Sequence, residues 1–146
     1  MAIDETFTQR EVRDPRKLAP KLDAISAVVA DVPVLSVTSV DGEDGTASIT
    51  VQANDGNGVA LASKYLVSVW VSGTDGGAPN ASAGQTAFAV ATGVEIAEVT
   101  DLAEYRVLTD ATGTAVITLT GADATYYVMA ECVGKVASGA SVITGN

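Results

Sequence analysis

The segment Thr109–Gly134, TDATGTAVITLTGADATYYVMAECVG, decides how this chain reads. Asp110-Ala111-Thr112-Gly113 has the composition of a four-residue turn, since an Asp side chain can bond the backbone two residues on and Gly accepts a positive φ. The residues that follow alternate. Ala115, Ile117 and Leu119 fall on one side, with Thr114, Thr118 and Thr120 on the other. Period two marks a strand with one buried face. Gly121-Ala122-Asp123 then turns the chain, and residues 125–133 return as a second strand.

Working outward, the same pattern recurs. Thr46–Ala53 alternates Ile49, Val51 and Ala53 with Ser48, Thr50 and Gln52, and ends in the dense turn signal Asn54-Asp55-Gly56-Asn57-Gly58. Val34–Val40 precedes it, closed by the turn residues 41–45. Residues 64–72 are apolar on both faces, through Leu66, Val67, Val69, Trp70 and Val71, which predicts a central strand or one with a face at a subunit contact. Residues 73–84, GTDGGAPNASAG, predict an exposed loop. Residues 85–91, 93–99 and 104–108 are shorter strands, and the Gly/Ser-interrupted stretch 136–144 predicts a final strand at a sheet edge. Strands about every ten residues with turn signals between them predict an all-β sandwich. Trp70 is expected between its sheets, against Ile117 and Leu119.

The N-terminal segment reads differently. Residues 1–13 are polar and extended, with apolar anchors that include Phe7 and Val12, and a helix is predicted from about Pro20 to Asp31. Leu18, Leu22, Ile25 and Val29 are spaced in a heptad-like pattern, too short for a self-sufficient coiled coil. Such a helix can lie on its own domain, meet copies of itself around an axis, or dock on another protein. The predicted organisation is an arm and short helix over residues 1–33, serving attachment or oligomerisation, and a sandwich over residues 34–146.

Net charge is −10, and it is unevenly placed. Residues 1–31 hold five of the eight basic residues (Arg10, Arg13, Arg16, Lys17 and Lys21) against six acids; the rest of the chain holds three against twelve. An acidic body favours solubility and disfavours nucleic acid, because phosphate binding needs clustered Lys and Arg. The absence of His and the single Cys132 rule out an intramolecular disulfide and any His-based catalytic triad, and leave little from which to build a zinc site. Cys132 is expected to be a small buried hydrophobe. Glu95 with Glu98, and Asp101 with Glu104, are paired carboxylates, but an i, i+3 pair does not share a strand face. The Asp/Gly turns around Asp41, Asp44, Asp55 and Asn57 carry oxygen ligands without matching the twelve-residue calcium loop. No catalytic residue, metal or cofactor is therefore assigned. Neither a signal-peptide core nor a membrane-length apolar run is visible, which predicts cytoplasmic synthesis and no membrane partner.

Two segments resemble the bacterial immunoglobulin-like modules of invasin-type proteins. Thr109–Thr120, running on through Tyr127-Val128-Met129-Ala130, is similar to that family's turn-strand pair and return strand. Ile49–Gly58 is similar to the hairpin near the start of such modules. The wider layout, over residues 46–135, resembles virion proteins of tailed phages, in which a helical or extended N-terminus joins one immunoglobulin-like domain. Lys64–Pro79, with Val69-Trp70-Val71-Ser72 at its centre, looks like a segment of phage head-fibre and tail-fibre proteins, as do Val94–Thr100 and Tyr105–Gly113. The resemblance implies an immunoglobulin-like β-sandwich and a non-enzymatic capsid-decoration or head-spike protein on the virion surface. Its main partner would be the major capsid protein, and the heptad-like spacing of Leu18, Leu22, Ile25 and Val29 adds copies of itself around an axis, as a homotrimer. The contacts would come from Phe7, Arg10, Val12, Arg13, Leu18, Leu22, Ile25 and Val29. The alternative is a tail-fibre or receptor-binding module that contacts the host surface.

Overall fold

The computed structural model describes residues 33–144, which form nine strands in two sheets. In chain order they are β1 (Val34–Asp41), β2 (Thr46–Asn54), β3 (Leu66–Ser72), β4 (Gln85–Thr92), β5 (Val94–Thr100), β6 (Glu104–Leu108), β7 (Thr114–Gly121), β8 (Ala124–Cys132) and β9 (Lys135–Ile143). The first sheet has the order β1-β2-β7-β4 and the second β5-β6-β3-β8-β9. Every strand pairing is antiparallel. The helix expected over residues 20–31 lies outside the described residues.

The alternation read from the sequence sets the core. β2 buries Ala47, Ile49, Val51 and Ala53, and β7 buries Ala115, Ile117 and Leu119, from the first sheet. β3 contributes Val67, Val69 and Val71, and β8 contributes Tyr126, Val128, Ala130 and Cys132, from the second. Two sheets that each hide one face in this way make a sandwich. The spatial framework is immunoglobulin-like: β1, β2 and β7 form one sheet and β3, β8 and β9 the centre and edge of the other. β3 is central and β9 is an edge strand, both as the sequence indicates.

β7 and β8 are not sheet neighbours. The turn at residues 121–123 lifts the chain from the first sheet to the second, so that the buried faces of the two strands meet across the core instead of lying side by side. Tyr126 fixes this corner. Its ring is fully buried and its hydroxyl donates to the Ala122 carbonyl four residues upstream at 3.0 Å, the tyrosine-corner arrangement of immunoglobulin-type sandwiches. A Cβ on Gly121 would stand 2.5 Å from that hydroxyl, so the corner needs glycine there.

The two sides of the sandwich differ. On one, β1 lies against β9: the Ser39 hydroxyl donates to Ser141 at 2.8 Å, and a Cβ on Gly139 would come 2.8 Å from the Val37 carbonyl oxygen. On the other, the chain switches sheets between β4 and β5 through Gly93 alone, whose φ of 95° suits glycine and whose missing side chain leaves room for the Leu108 carbonyl. The free strand edges, β4 and β5, both lie here. β5 is exposed throughout and breaks register with β6 twice. Bulges of this kind, together with Glu95 and Glu98, blunt an edge against unwanted strand pairing.

Candidate interaction surfaces

The contact residues expected from the sequence, Phe7, Arg10, Val12, Arg13, Leu18, Leu22, Ile25 and Val29, lie outside the described residues. Ile117 and Leu119 are fully buried in the core. Trp70 is not between the sheets. In β3 the inward positions belong to Val67, Val69 and Val71, and strand parity places Trp70 on the outer face of the second sheet, half-buried. Its register partners there are Glu104 on β6 and Met129 on β8. Because both faces of residues 64–72 are apolar, the sequence alone did not say which one faces inward; the β-branched valines fill the narrow space between the sheets and the indole is left outside.

An outward Trp still needs a partner for its ring N–H. Trp70 Nε1 donates to the Gly77 carbonyl at 2.8 Å, which pins the loop of residues 73–84. The Asn80 amide donates to the Val71 carbonyl at 2.9 Å, and Gln85 Nε2 donates to the carbonyls of Asn80 at 2.7 Å and Leu102 at 2.9 Å. Most of the loop's residues are exposed, as expected, but its backbone is tied to the sandwich at Thr74, Gly77, Asn80 and Gly84.

Of the paired carboxylates, Glu98 is taken up by the structure. Glu98 Oε1 accepts from the Tyr105 hydroxyl at 2.7 Å and from the Leu102 amide at 3.1 Å, and Leu102 holds a positive φ of 56° in that turn. The hydroxyl of Tyr105, above all, and then the Leu102 amide hold the Glu98 carboxyl below its ordinary range. Burial, and then the bond to Glu98, push the Tyr105 phenol up. A phenol kept protonated beside an ionised carboxylate suits a fixed hydrogen bond. The turn acids are used in the same way. Asp55 Oδ1 accepts from the amides of Asn57 and Val59 at 2.8 and 2.9 Å, Asp44 accepts from the Thr46 hydroxyl at 2.6 Å, and Asp110 accepts from the Thr112 and Thr114 amides. Asp41 and Asp44 sit at one end of β2 and Asp55 and Asn57 at the other, so the two oxygen-rich turns do not converge. Burial pushes the Cys132 thiol up, as for an unreactive buried cysteine.

The described surface carries one aliphatic row. On the outer face of the second sheet Val94 pairs with Leu108, and Leu108 with Leu66. Val133, in the two-residue turn between β8 and β9, lies at the same end of the sheet; Val136 on β9 stands in the adjoining row, opposite Glu131. Val94, Leu66, Val133 and Val136 are each at least half exposed. Val133 holds a φ of 50°, an unusual conformation for a β-branched residue. The sequence signal for this row was present in the two-faced apolar pattern of residues 64–72; its extension to Val94, with Val136 beside it, required the strand order.

No protein-family model matches the sequence, and no curated protein matches it. Among solved structures the chain is similar to domains 4 and 5 of the S-layer protein SbsC, at 15% identity and a TM-score of 0.44, over 77% of this chain and 53% of that one. It is similar also to the D00-D0 domain of intimin, at 20% identity and a TM-score of 0.40, over 81% of this chain and 50% of that one. The chain spans about half the length of each. The fold is an all-β, immunoglobulin-like sandwich.

Proposed function

We propose that this protein is a non-enzymatic structural component of a tailed-phage virion, a capsid-decoration or head-spike protein whose sandwich is displayed and whose residues 1–33 attach it. The sequence resemblance over residues 46–135 supports the virion reading. The observation that carries the structural role is the aliphatic row on the second sheet, with Leu66, Val94 and Val133 at least half exposed and Val136 exposed in the row beside it, in an acidic domain. Aligned side chains of this kind form a surface suited to burial in an assembly. The charge division supports attachment through the N-terminus: the described residues hold only Lys64, Arg106 and Lys135 against twelve acids, whereas residues 10–21 hold five basic residues. That end can pair with an acidic partner without adding to the body's self-repulsion.

The test is a variant lacking residues 1–31, added to capsids that lack the protein. It is expected to keep a β-type circular dichroism spectrum and to leave the capsids bare. Full decoration by the truncated chain would place the attachment surface on the sandwich. Band quantitation of purified virions separates the two locations: hundreds of copies per particle fit decoration, and a few copies fit the alternative of a tail-fibre or receptor-binding module.

A further inference from the structure

The outer face of the first sheet has an unusual composition for so acidic a domain. Strand register puts four neighbours in one row across it: Val40, Ser48, Thr118 and Ala89. The row beside it places Thr50 opposite Val116. The remaining outward positions of β1, β2, β7 and β4 continue in Ser, Thr, Ala, Val, Asn and Gln. Among the described residues, no charged side chain stands on this face. The three basic and twelve acidic ones lie in loops and turns, on the second sheet, or, for Asp41, at the end of β1 on the inward side.

We infer that this face is where two copies of the protein meet, sheet against sheet. Charge selects the occupant. Two acidic bodies repel one another over most of their described surface, and through this face they approach without bringing the described carboxylates together. The face presents no basic group for a phosphate or an acidic peptide, and no aromatic ring on which a sugar would stack. Its short side chains lie flat, so two copies related by a two-fold axis fit without a pocket, and threonine and serine hydroxyls supply the donors and acceptors that a self-complementary surface needs.

The footprint sets the strength. Four strands about 4.8 Å apart and about seven residues long cover roughly 20 Å by 25 Å, or about 500 Å² per copy. The total of about 1,000 Å² sits at the small end of specific interfaces, so the contact is weak in solution and gains from any array that raises local concentration. This inference does not depend on how residues 1–33 are used.

The test is sedimentation of the full chain over a concentration series at low and high salt. The wild type is expected to associate weakly, and more strongly in high salt, which screens the mutual repulsion. Thr118→Lys places a cation at the centre of the face while lowering the overall negative charge. It should raise the dissociation constant by about tenfold or more. Ser138→Lys, an exposed position on the second sheet, makes the same change in net charge and should not weaken association. If Thr118→Lys lowers the melting temperature markedly, Ser48→Lys, exposed in the same row, takes its place. A wild type that stays monomeric at every concentration and salt, or a lysine variant that associates as the wild type does, would overturn the inference.

Discussion

The rings of Phe88 and Tyr105 stack across the sandwich, with centroids 3.9 Å apart and planes 6° from parallel. Phe88 stands on β4 of the first sheet and Tyr105 on β6 of the second, so the pair joins the sheets near their open edges. The Tyr105 hydroxyl reaches past the stack to Glu98. Phe88→Ala should cost about 3 kcal/mol, toward the lower end for emptying a large aromatic site. Tyr105→Phe keeps the stack and loses the hydroxyl, which should cost about 1 kcal/mol. Urea denaturation of the two variants measures both, and the order of the two effects is the decisive outcome.

Trp70 stands outside the core, so its truncation should be milder than that of an inward residue. Trp70→Ala loses one hydrogen bond and part of a half-buried ring, about 1–2 kcal/mol. Ile117→Ala empties a fully buried site and should cost about 2–5 kcal/mol. Melting curves of the two variants should keep that ranking. Because the indole bond ties down Gly77, Trp70→Phe should also speed proteolytic nicking within residues 73–84.

Val133 and Gly134 occupy the turn between β8 and β9 with φ of 50° and 76°, and Cys132 pairs with Lys135 across it. A two-residue hairpin turn with both φ values positive favours Asn-Gly. Val133→Asn should therefore stabilise the fold by about 1 kcal/mol, since a β-branched residue is strained there. If the aliphatic row is an assembly surface, the same variant should bind its assembly less well. Gain of stability with loss of incorporation is the expected pair of results, read by thermal melting and, on the proposed function, by virion content.

Acid should act through Glu98 and Asp110. Both carboxyls lie below their ordinary range, Glu98 through the Tyr105 hydroxyl first, and Asp110 through the Thr112 hydroxyl first, then the Thr114 amide. A depressed folded-state pKa contributes stability that is complete above the unfolded-state value. It is lost as pH falls from there through the folded-state value. The melting temperature should therefore fall as pH drops below the ordinary carboxylate range. Glu98→Gln should show a shallower fall over the same window. Both exposed carboxylates are screened by solvent and salt, so the difference is expected to be modest and to shrink at high ionic strength.

The sequence by itself determined the strands, since alternation in β2 and β7 names the inward residues one by one. Ile49, Val51, Ala53, Ala115, Ile117 and Leu119 are all buried, because a period of two leaves a strand only one apolar face to hide. It likewise indicated the central place of β3 and the edge place of β9. Tertiary structure decided what parity leaves open. In residues 66–71 both faces are apolar, and only the opposing sheet, with room for valines, turns Trp70 outward. Residues 121–123 signal a turn, but whether it folds β8 beside β7 or across the core depends on Tyr126 reaching back to Ala122, and on where β3 and β9 wait to pair. The two surfaces follow the same division. Each threonine, alanine or leucine is legible in its own strand, but an uncharged face and an aliphatic row exist only once the register sets residues distant in sequence side by side. Non-local pairing is the part of a β fold that local residue chemistry does not specify.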